Sequence, residues 1–387
     1  IIFNTIGKEF VKMITNTIIF CQLPPTLDCC FFPQDITWEN SVFFDIETTG
    51  LSPRTSRVYL IGAIYLPAGA ASPLLVQYLA EDSSDQEECA ILQAFYGLLK
   101  NRKYVVHFNG TSFDVPYLLH RSQKHGLPSP LDTVLQEDLY KHLKHFKPFF
   151  SQMGNHRQKS FENLVCYPRK DILSGKDLIK IYQAFEKSHD QDALNAILLH
   201  NHDDLEGMLS LLPLSRLSQL EKEEYTAKSL EEVEEINYQG MPGRSLLLTL
   251  ELPIEIPAQI SLSLPHGYLM IQKKLIKIKT PVFEGTLKHF YPDYKNYFYL
   301  PFEDEAVHRS IGIFTDPSRR QKATAANCYQ KITGTFLYAP GTPDLPLCKE
   351  DIKAKETYTP YPFPEPVLSS ALAYAKAFLR NIISSKK

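Results

Sequence analysis

The chain has 387 residues, 44% of them apolar and 22% charged, which allows two domains and a sizeable core of ordinary globular type. A net charge of −3 excludes a protein that is basic overall, so any polyanionic partner must be met by a local patch or through bound cations. No run of about 18 apolar residues occurs, which argues against a membrane span. The seven cysteines (21, 29, 30, 89, 166, 328 and 348) have neither C-x-x-C nor finger spacing, so reduced thiols in a cytoplasm are expected rather than a zinc site or a disulfide framework.

Residues 1–40 read as an N-terminal extension. Its apolar stretch, 14–23, is interrupted by Asn16, Thr17 and Gln22 and lacks a small-residue cleavage pattern, so a signal peptide is not expected. Met13 is a candidate natural start, with residues 1–12 as upstream read-through. From 41 to 215 strands and helices alternate. SVFFDIE is a short apolar run, TTGLSP a turn, and RVYLIGAIYL and LLVQYLA two further strands. After the acidic DSSDQEE comes CAILQAFYGLLK with helical spacing, then the strand YVVHFN, then a helix closed by Gly126 and mostly helix to Leu217. This order predicts an α/β fold, a mixed sheet flanked by helices.

Residues 216–237 carry seven glutamates against three basic residues and are expected to be a solvated charged helix or linker, which places the domain boundary there. From 238 to 387 short β-branched and aromatic runs (SLLLTLEL, QISLSL, GYLMIQ, LIKIKT, NYFYLPF, SIGIFT, ITGTFLY) alternate with Pro and Gly. They predict a β-rich accessory domain, with a helix start at Asp316-Pro317 and a closing amphipathic helix in SSALAYAKAFLRNIISSKK.

Three segments carry candidate chemistry. Asp45 and Glu47 are two apart in an extended run, so both side chains leave one face of a strand flanked by Val42, Phe43, Phe44 and Ile46. A D-x-E at an exposed strand end is common and means little alone. Adjacent carboxylates in an apolar setting repel and lose hydration, and are tolerated when hard divalent cations bind them. Asp114 follows YVVHFN and an Asn-Gly turn, where a helix-opening Asp capped by Thr111 or Ser112 is the plain alternative. That position is also the carboxyl edge of the sheet, where α/β sites lie. In DALNAILLHNHDDLEGMLSLLPL the stripe Ala193, Ile197, His200, Asp204, Met208 and Leu211 is apolar except for His200 and Asp204, which are i, i+4 neighbours facing inward. A satisfied buried His–Asp pair would also explain them, and Asp203, about 100° away, competes for the role.

Taken in order, FFDIETTGL, HFNGTSFDVPYL and HNHDDL resemble motifs I, II and III of the DEDD 3′–5′ exonucleases. The likeness is to the YprB-type ribonuclease H-like branch found in bacteria, and KSFENLVCYPRKDILSGKDLIKIYQAF resembles that branch's spacer. The resemblance covers roughly residues 41–212. It implies that Asp45, Glu47, Asp114 and Asp204 ligate two Mg²⁺ or Mn²⁺ ions and that a single-stranded 3′ end of DNA or RNA is the partner. The branch has Tyr-x-x-x-Asp in motif III, whereas this chain has His200 with the three-residue spacing kept. An imidazole can orient or deprotonate water. Thr48, Leu51, Asn109 and Phe113 are the expected contacts to the terminal nucleotide, with Leu51 or Phe113 against a base. The different-class alternative is a non-catalytic module that keeps this fold and binds nucleic acid or a protein.

Between His266 and Lys331 eleven basic residues face six acids, interleaved with Phe290, Tyr291, Tyr294, Tyr297, Phe298 and Tyr299. This is either a patch that holds a nucleic-acid backbone and stacks bases, or a tyrosine-rich core with solvated lysines. No phosphate-cradling Gly-rich loop and no G-x-S-x-G elbow occurs, which removes support for nucleotide-cofactor chemistry and serine hydrolysis.

Overall fold

Short runs of β-branched and aromatic residues become the sheet of the N-terminal part, and longer amphipathic segments become the helices that cover it. The computed structural model describes residues 12–19, 27, 31–236, 242–341 and 344–385, with paired strand backbone at Thr5–Ile6 and Glu9–Phe10. Cys21, Cys29, Cys30 and the expected boundary at 237/238 lie outside the described residues. Cys89, Cys166, Cys328 and Cys348 are free thiols. The chain divides into two compact units, residues 1–147 with 153–216, and 148–152 with 217–387.

The main sheet of the first unit has six strands, β1 (Ile14–Ile19), β2 (Ser41–Thr48), β3 (Val58–Tyr65), β4 (Leu74–Leu79), β5 (Tyr104–His107) and β6 (Leu135–Asp138). Their order is β1-β4-β3-β2-β5-β6. The β2–β3, β3–β4 and β1–β4 pairs are antiparallel, and β5 and β6 extend the sheet in parallel. β2 and β3 are covered on both faces, which is why they read as nearly unbroken apolar runs.

Helices α1 (Asp85–Leu99) and α2 (Asp114–Lys124) pack with Val42, Phe44, Ile46, Ile61 and Ala63 on one face. α3 (Leu139–His145) and α4 (Gln158–Leu164) follow. α5 (Gly175–Ser188) and α6 (Gln191–Ser210) cover Tyr59, Leu60 and Leu79 on the other face through Leu178, Tyr182, Phe185 and Ile197. Each such buried side chain stabilises by roughly 1.5–3 kcal/mol. Asp190 starts α6 by accepting from the Ala193 N–H at 2.9 Å. The expected cap of α2 differs: Phe113 occupies the position, with no side-chain hydrogen bond from Thr111 or Ser112 to the helix.

The second unit is built on β7 (Thr226–Ile236), β8 (Pro242–Leu264), β9 (Gly267–Phe290), β10 (Tyr297–Leu300), β11 (Glu305–His308), β12 (Gln321–Lys322), β13 (Tyr329–Tyr338) and β14 (Tyr358–Tyr361). A five-stranded antiparallel sheet runs β14-β13-β9-β8-β7, a three-stranded one runs β11-β10-β12, and helix α7 (Val367–Ser384) closes the chain. The charged segment expected as helix or linker is strand β7 over 226–236. In a helix, Glu231 would face Glu234 and Glu235 at repelling i+3 and i+4 spacings. In the strand, Arg244 answers Glu232 at 3.2 Å and Lys279 answers Glu235. SIGIFT is not a strand but contains part of a helical turn, Arg309–Gly312. The helix expected at Asp316-Pro317 is a single 3₁₀ turn, after which Gln321–Lys322 pairs with β10. Among the described residues no helix is long and apolar enough to cross a membrane.

Candidate active site

β2 is a central strand, and its alternation sends Asp45 and Glu47 to the α6 face. Opposite Asp45 in the register stands Gly62. A Cβ there would lie 1.9 Å from Oδ1 of Asn201, so only glycine lets α6 approach. Asn201, fully buried, donates from Nδ2 to Asp45 Oδ2 at 3.0 Å and accepts on Oδ1 from Gln77 Nε2 at 3.0 Å. Gln77 in turn bonds the Leu198 carbonyl at 2.8 Å and accepts from Asn16 at 2.9 Å. Neither amide was singled out in the sequence. The signal for Gln77 was a polar residue inside LLVQYLA, a strand with no reason to bury one.

Asp114 reaches the same space from the end of β5. The preceding turn is tied down by Asp138, whose Oδ1 accepts from the Asn109 N–H at 2.8 Å and whose Oδ2 accepts from the Thr111 N–H at 3.4 Å. The Gly110 N–H donates to His107 Nδ1 at 3.1 Å, and a Cβ on Gly110 would strike that ring. Burial pushes His107 down to about 4, against the pull of Asp138, so the imidazole is neutral and able to accept. Asn109 adopts a left-handed φ of 61°, which asparagine tolerates.

Asp203 and Asp204 divide as neighbours on a helix do. Asp203 is buried and accepts from the Lys170 and Asp171 N–H groups, both at 2.7 Å, so it fastens the 170–171 backbone to α6. Asp204 faces the carboxylate cluster. Its Oδ1 takes Arg169 Nη1 at 2.7 Å, and its Oδ2 lies 3.3 Å from His200 Nε2. His200 Nε2 is also 3.5 Å from Glu47 Oε1, and Nδ1 is 2.9 Å from Asp171 Oδ2, off the ring N–H direction. Arg169 also contacts Glu162 at 3.1 Å and Asp171 at 3.0 Å, so one guanidinium serves three carboxylates. Arg169, Asp171 and Glu162 were not assigned roles from sequence, because nothing in local spacing places a loop arginine under a distant helix.

The electrostatics follow. Burial raises Asp45 well above the ordinary carboxylate range, reinforced by Asp204, Asp114 and Glu47 and opposed by Asn201. Burial also raises Glu47, with Asp204, Asp114 and Asp171 adding to it and Arg169 opposing. Asp114 is pushed up to about 7 by burial, with Asp138 and Asp204 adding, against hydrogen bonds from the N–H groups of Asp114 and Ile46. For Asp171 burial acts upward, but the Leu173 N–H, His200, Arg169 and Lys159 bring it down to about 2. The structure thus brings Asp45, Glu47, Asp114, Asp204 and His200 together. Glu47, His200 and Asp204 each offer a ligand atom within 4.8 Å of the others.

Two other such groups are occupied by the protein itself. Glu88, beside Asp85 and His125, accepts from Arg121 Nε at 2.7 Å, from His125 Nε2 at 2.8 Å and from the Val58 N–H at 2.9 Å. In the group His202, Asp203 and Glu206, Asp203 Oδ2 accepts two backbone N–H bonds, Asp203 Oδ1 lies 3.3 Å from His202 Nδ1, and Glu206 Oε2 accepts from Tyr167 at 3.1 Å.

The expected nucleotide contacts sit around the turns that carry these acids. Thr48 donates to the Gly50 carbonyl at 3.0 Å, as does Tyr117, which fixes the turn after β2. Leu51 beyond it is 85% exposed. Asn109 is exposed, and Phe113 is partly buried with its ring 5.3 Å from that of Tyr117. In the second unit the aromatic run packs on itself: Tyr291 stacks on Tyr297 at 4.6 Å, and Arg309 and Arg320 lie over Phe298. Of the eleven basic residues, Lys279, Arg319 and Lys331 pair with Glu235, Glu303 and Asp304.

Residues 42–214 match the family model of the RNase_H superfamily, so the chain carries an RNase_H-superfamily domain. No curated protein matches the chain significantly. Among solved structures it is similar to the family B DNA polymerase of the hyperthermophilic archaeon Pyrobaculum calidifontis, at 18% identity over 46% of this chain and 25% of the polymerase, with a TM-score of 0.36. It is also similar to E. coli Exonuclease I in complex with a dT13 oligonucleotide, at 12% identity over 55% of each chain and a TM-score of 0.29. The chain spans from a quarter to about half the length of these structures.

Proposed function

We propose that the chain is a metal-dependent nuclease of the DEDD type that hydrolyses phosphodiester bonds from the 3′ end of single-stranded DNA or RNA. The observation that carries this reading is the meeting of Asp45 and Glu47 from β2 and Asp114 from the start of α2 with Asp204 from α6. Three of these four are held above the ordinary carboxylate range by burial and mutual repulsion. Buried acids that repel one another need cations, and an all-oxygen set suits Mg²⁺ or Mn²⁺. Asp45, Glu47, Asp114 and Asp204 would hold two such ions, which supply an activated water and charge stabilisation at the leaving 3′-oxygen.

The protein's own part is positioning. Asn201 orients Asp45, Arg169 turns Asp204 so that Oδ2 faces inward, and the Asp138–His107 turn sets Asp114. Leu51, 85% exposed on the turn after β2, or Phe113 would pack against a terminal base, with Thr48 and Asn109 as further contacts to the nucleotide.

The test is an end-labelled substrate set of single- and double-stranded DNA and RNA with Mg²⁺ or Mn²⁺, wild type beside Asp45→Ala. The expected result is nucleotide release from 3′ ends by the wild type alone. No degradation of any substrate, or equal degradation by Asp45→Ala, overturns the reading and leaves the non-catalytic binding module in its place.

A further inference from the structure

The geometry points to His200 as a direct metal ligand through Nε2, completing with Glu47 and Asp204 a mixed nitrogen–oxygen site, with Asp171 as the residue that positions the ring. This rests on the metal-dependent reading above and changes what the imidazole does there. It would be bound to the ion rather than standing beside it as a base.

Spacing is the first argument. Nε2 lies 3.3 Å from Asp204 Oδ2 and 3.5 Å from Glu47 Oε1. Two ligands each about 2.1 Å from one octahedral ion stand roughly 3.0 Å apart when adjacent and about 4.2 Å apart when opposite, a range that holds both distances. The Glu47, His200 and Asp204 ligand atoms all lie within 4.8 Å of one another, close enough to share one centre with small side-chain adjustment.

Orientation is the second. Asp204 is bidentate in its duties: Oδ1 is committed to Arg169 at 2.7 Å, which leaves Oδ2 for the cluster. His200 turns Nε2 toward Glu47 and Asp204, while its buried Nδ1 stands 2.9 Å from Asp171 Oδ2 with no hydrogen bond formed, so a small turn of the ring completes that pairing. Ligating histidines characteristically have a carboxylate behind the other ring nitrogen, which selects the tautomer with a free lone pair on the metal side. Asp171 is well built for that service. Leu173 N–H donates to Oδ1 at 2.9 Å, while Arg169 and Lys159 hold Oδ2 at 3.0 and 3.1 Å.

A consequence is metal preference. An imidazole in place of a purely oxygen shell favours Mn²⁺ and later first-row ions over Mg²⁺. The same contacts without direct ligation would describe a charged imidazole serving as counter-ion to Glu47 and Asp204, and the experiment separates the two.

Full-length protein loaded with one equivalent of Mn²⁺ is examined by pulsed electron paramagnetic resonance for the ¹⁴N coupling of a directly bound imidazole. The coupling is expected in wild type and in His202→Gln, and lost in His200→Gln. It is expected to change to the ¹⁵N pattern when the protein is grown on ¹⁵N-histidine, a readout that needs no variant to fold. Asp171→Asn is expected to weaken Mn²⁺ binding by about 10–100-fold, with Asp171→Glu recovering part of it. Bound Mn²⁺ without nitrogen coupling, or coupling that persists in His200→Gln, overturns the ligand assignment while leaving the nuclease reading standing. No binding of Mn²⁺ at all overturns both.

Discussion

Asp203 and Asp204 are adjacent, equally acidic and on one helix, yet their loss should have opposite consequences. Asp203 is 1% exposed and accepts two backbone N–H bonds at 2.7 Å. Both bonds end on Oδ2, so asparagine keeps them with its own oxygen, whereas Asp203→Ala removes the acceptor and, at about 1.5–3 kcal/mol for each bond to a charged group, should cost about 3 kcal/mol. At roughly 2–4 °C per kcal/mol for a unit of this size, the melting temperature should fall by about 6–12 °C. Asp204→Asn removes a charge that repels Asp45, Glu47 and Asp114, while Arg169 keeps Glu162 and Asp171 as partners. The two effects offset, and stability should stay within about 1 kcal/mol of wild type. Turnover should nevertheless drop at least about a thousandfold, roughly 4 kcal/mol of transition-state stabilisation. Differential scanning calorimetry and the end-labelled assay, run on both variants, decide the matter. An Asp203→Ala that melts like wild type but is inactive, beside an active Asp204→Asn, would show that the roles have been exchanged.

Two further outcomes follow from the same contacts. Asp114 has its pKa raised from 3.8 to about 7, so between those values the folded protein binds a proton that the unfolded chain has released. Without divalent ions, this contribution should be full below about pH 4 and lost as pH rises to about 7, so stability should fall across melts taken from about pH 5 to about pH 8 and Asp114→Asn should flatten that slope; a metal-free melting curve indifferent to pH over that range contradicts the burial argument. Gly62→Ala would drive a methyl into Asn201 Oδ1, at a cost of about 1–3 kcal/mol of overpacking, and should lower activity by releasing Asp45 from its amide. Unchanged melting temperature in that variant would mean that α6 does not pack as described.

What was legible in the sequence was whatever one element carries by itself. Period-two alternation placed Asp45 and Glu47 on one face, and a helical stripe turned His200 and Asp204 inward, because a strand or helix fixes the relative direction of its own side chains. The Asp203–Asp204 ambiguity could not be resolved that way, since it depends on where residues 170 and 171 pass α6. Arg169 was invisible for the same reason: its three carboxylate partners come from 162, 171 and 204, and only tertiary packing collects them. The charged segment 226–236 misled because composition says that it is solvated but not whether a neighbouring strand offers it a ladder.

The acids of the first unit fall into two sets, and the division explains why one cluster needs something from outside. Glu88 has Arg121 and His125, and Glu162 and Asp171 share Arg169, so these charges are answered within the fold. Asp45 and Asp114 have only hydrogen-bond donors among the groups that lower them, while every charged neighbour named for them is another carboxylate. The role of Arg169 is then to hold down the buried acids around the site without filling it. Arg169→Gln leaves Glu162 and Asp171 short of a buried counter-charge and should cost about 3–5 kcal/mol. Arg169→Lys should restore only part of that, since one ammonium cannot replace a planar fork spread over three carboxylates. Melting temperatures ordered wild type above Lys above Gln are the expected result. A glutamine variant as stable as wild type would mean that these acids are neutralised some other way, and that the contrast with Asp45 and Asp114 has no basis.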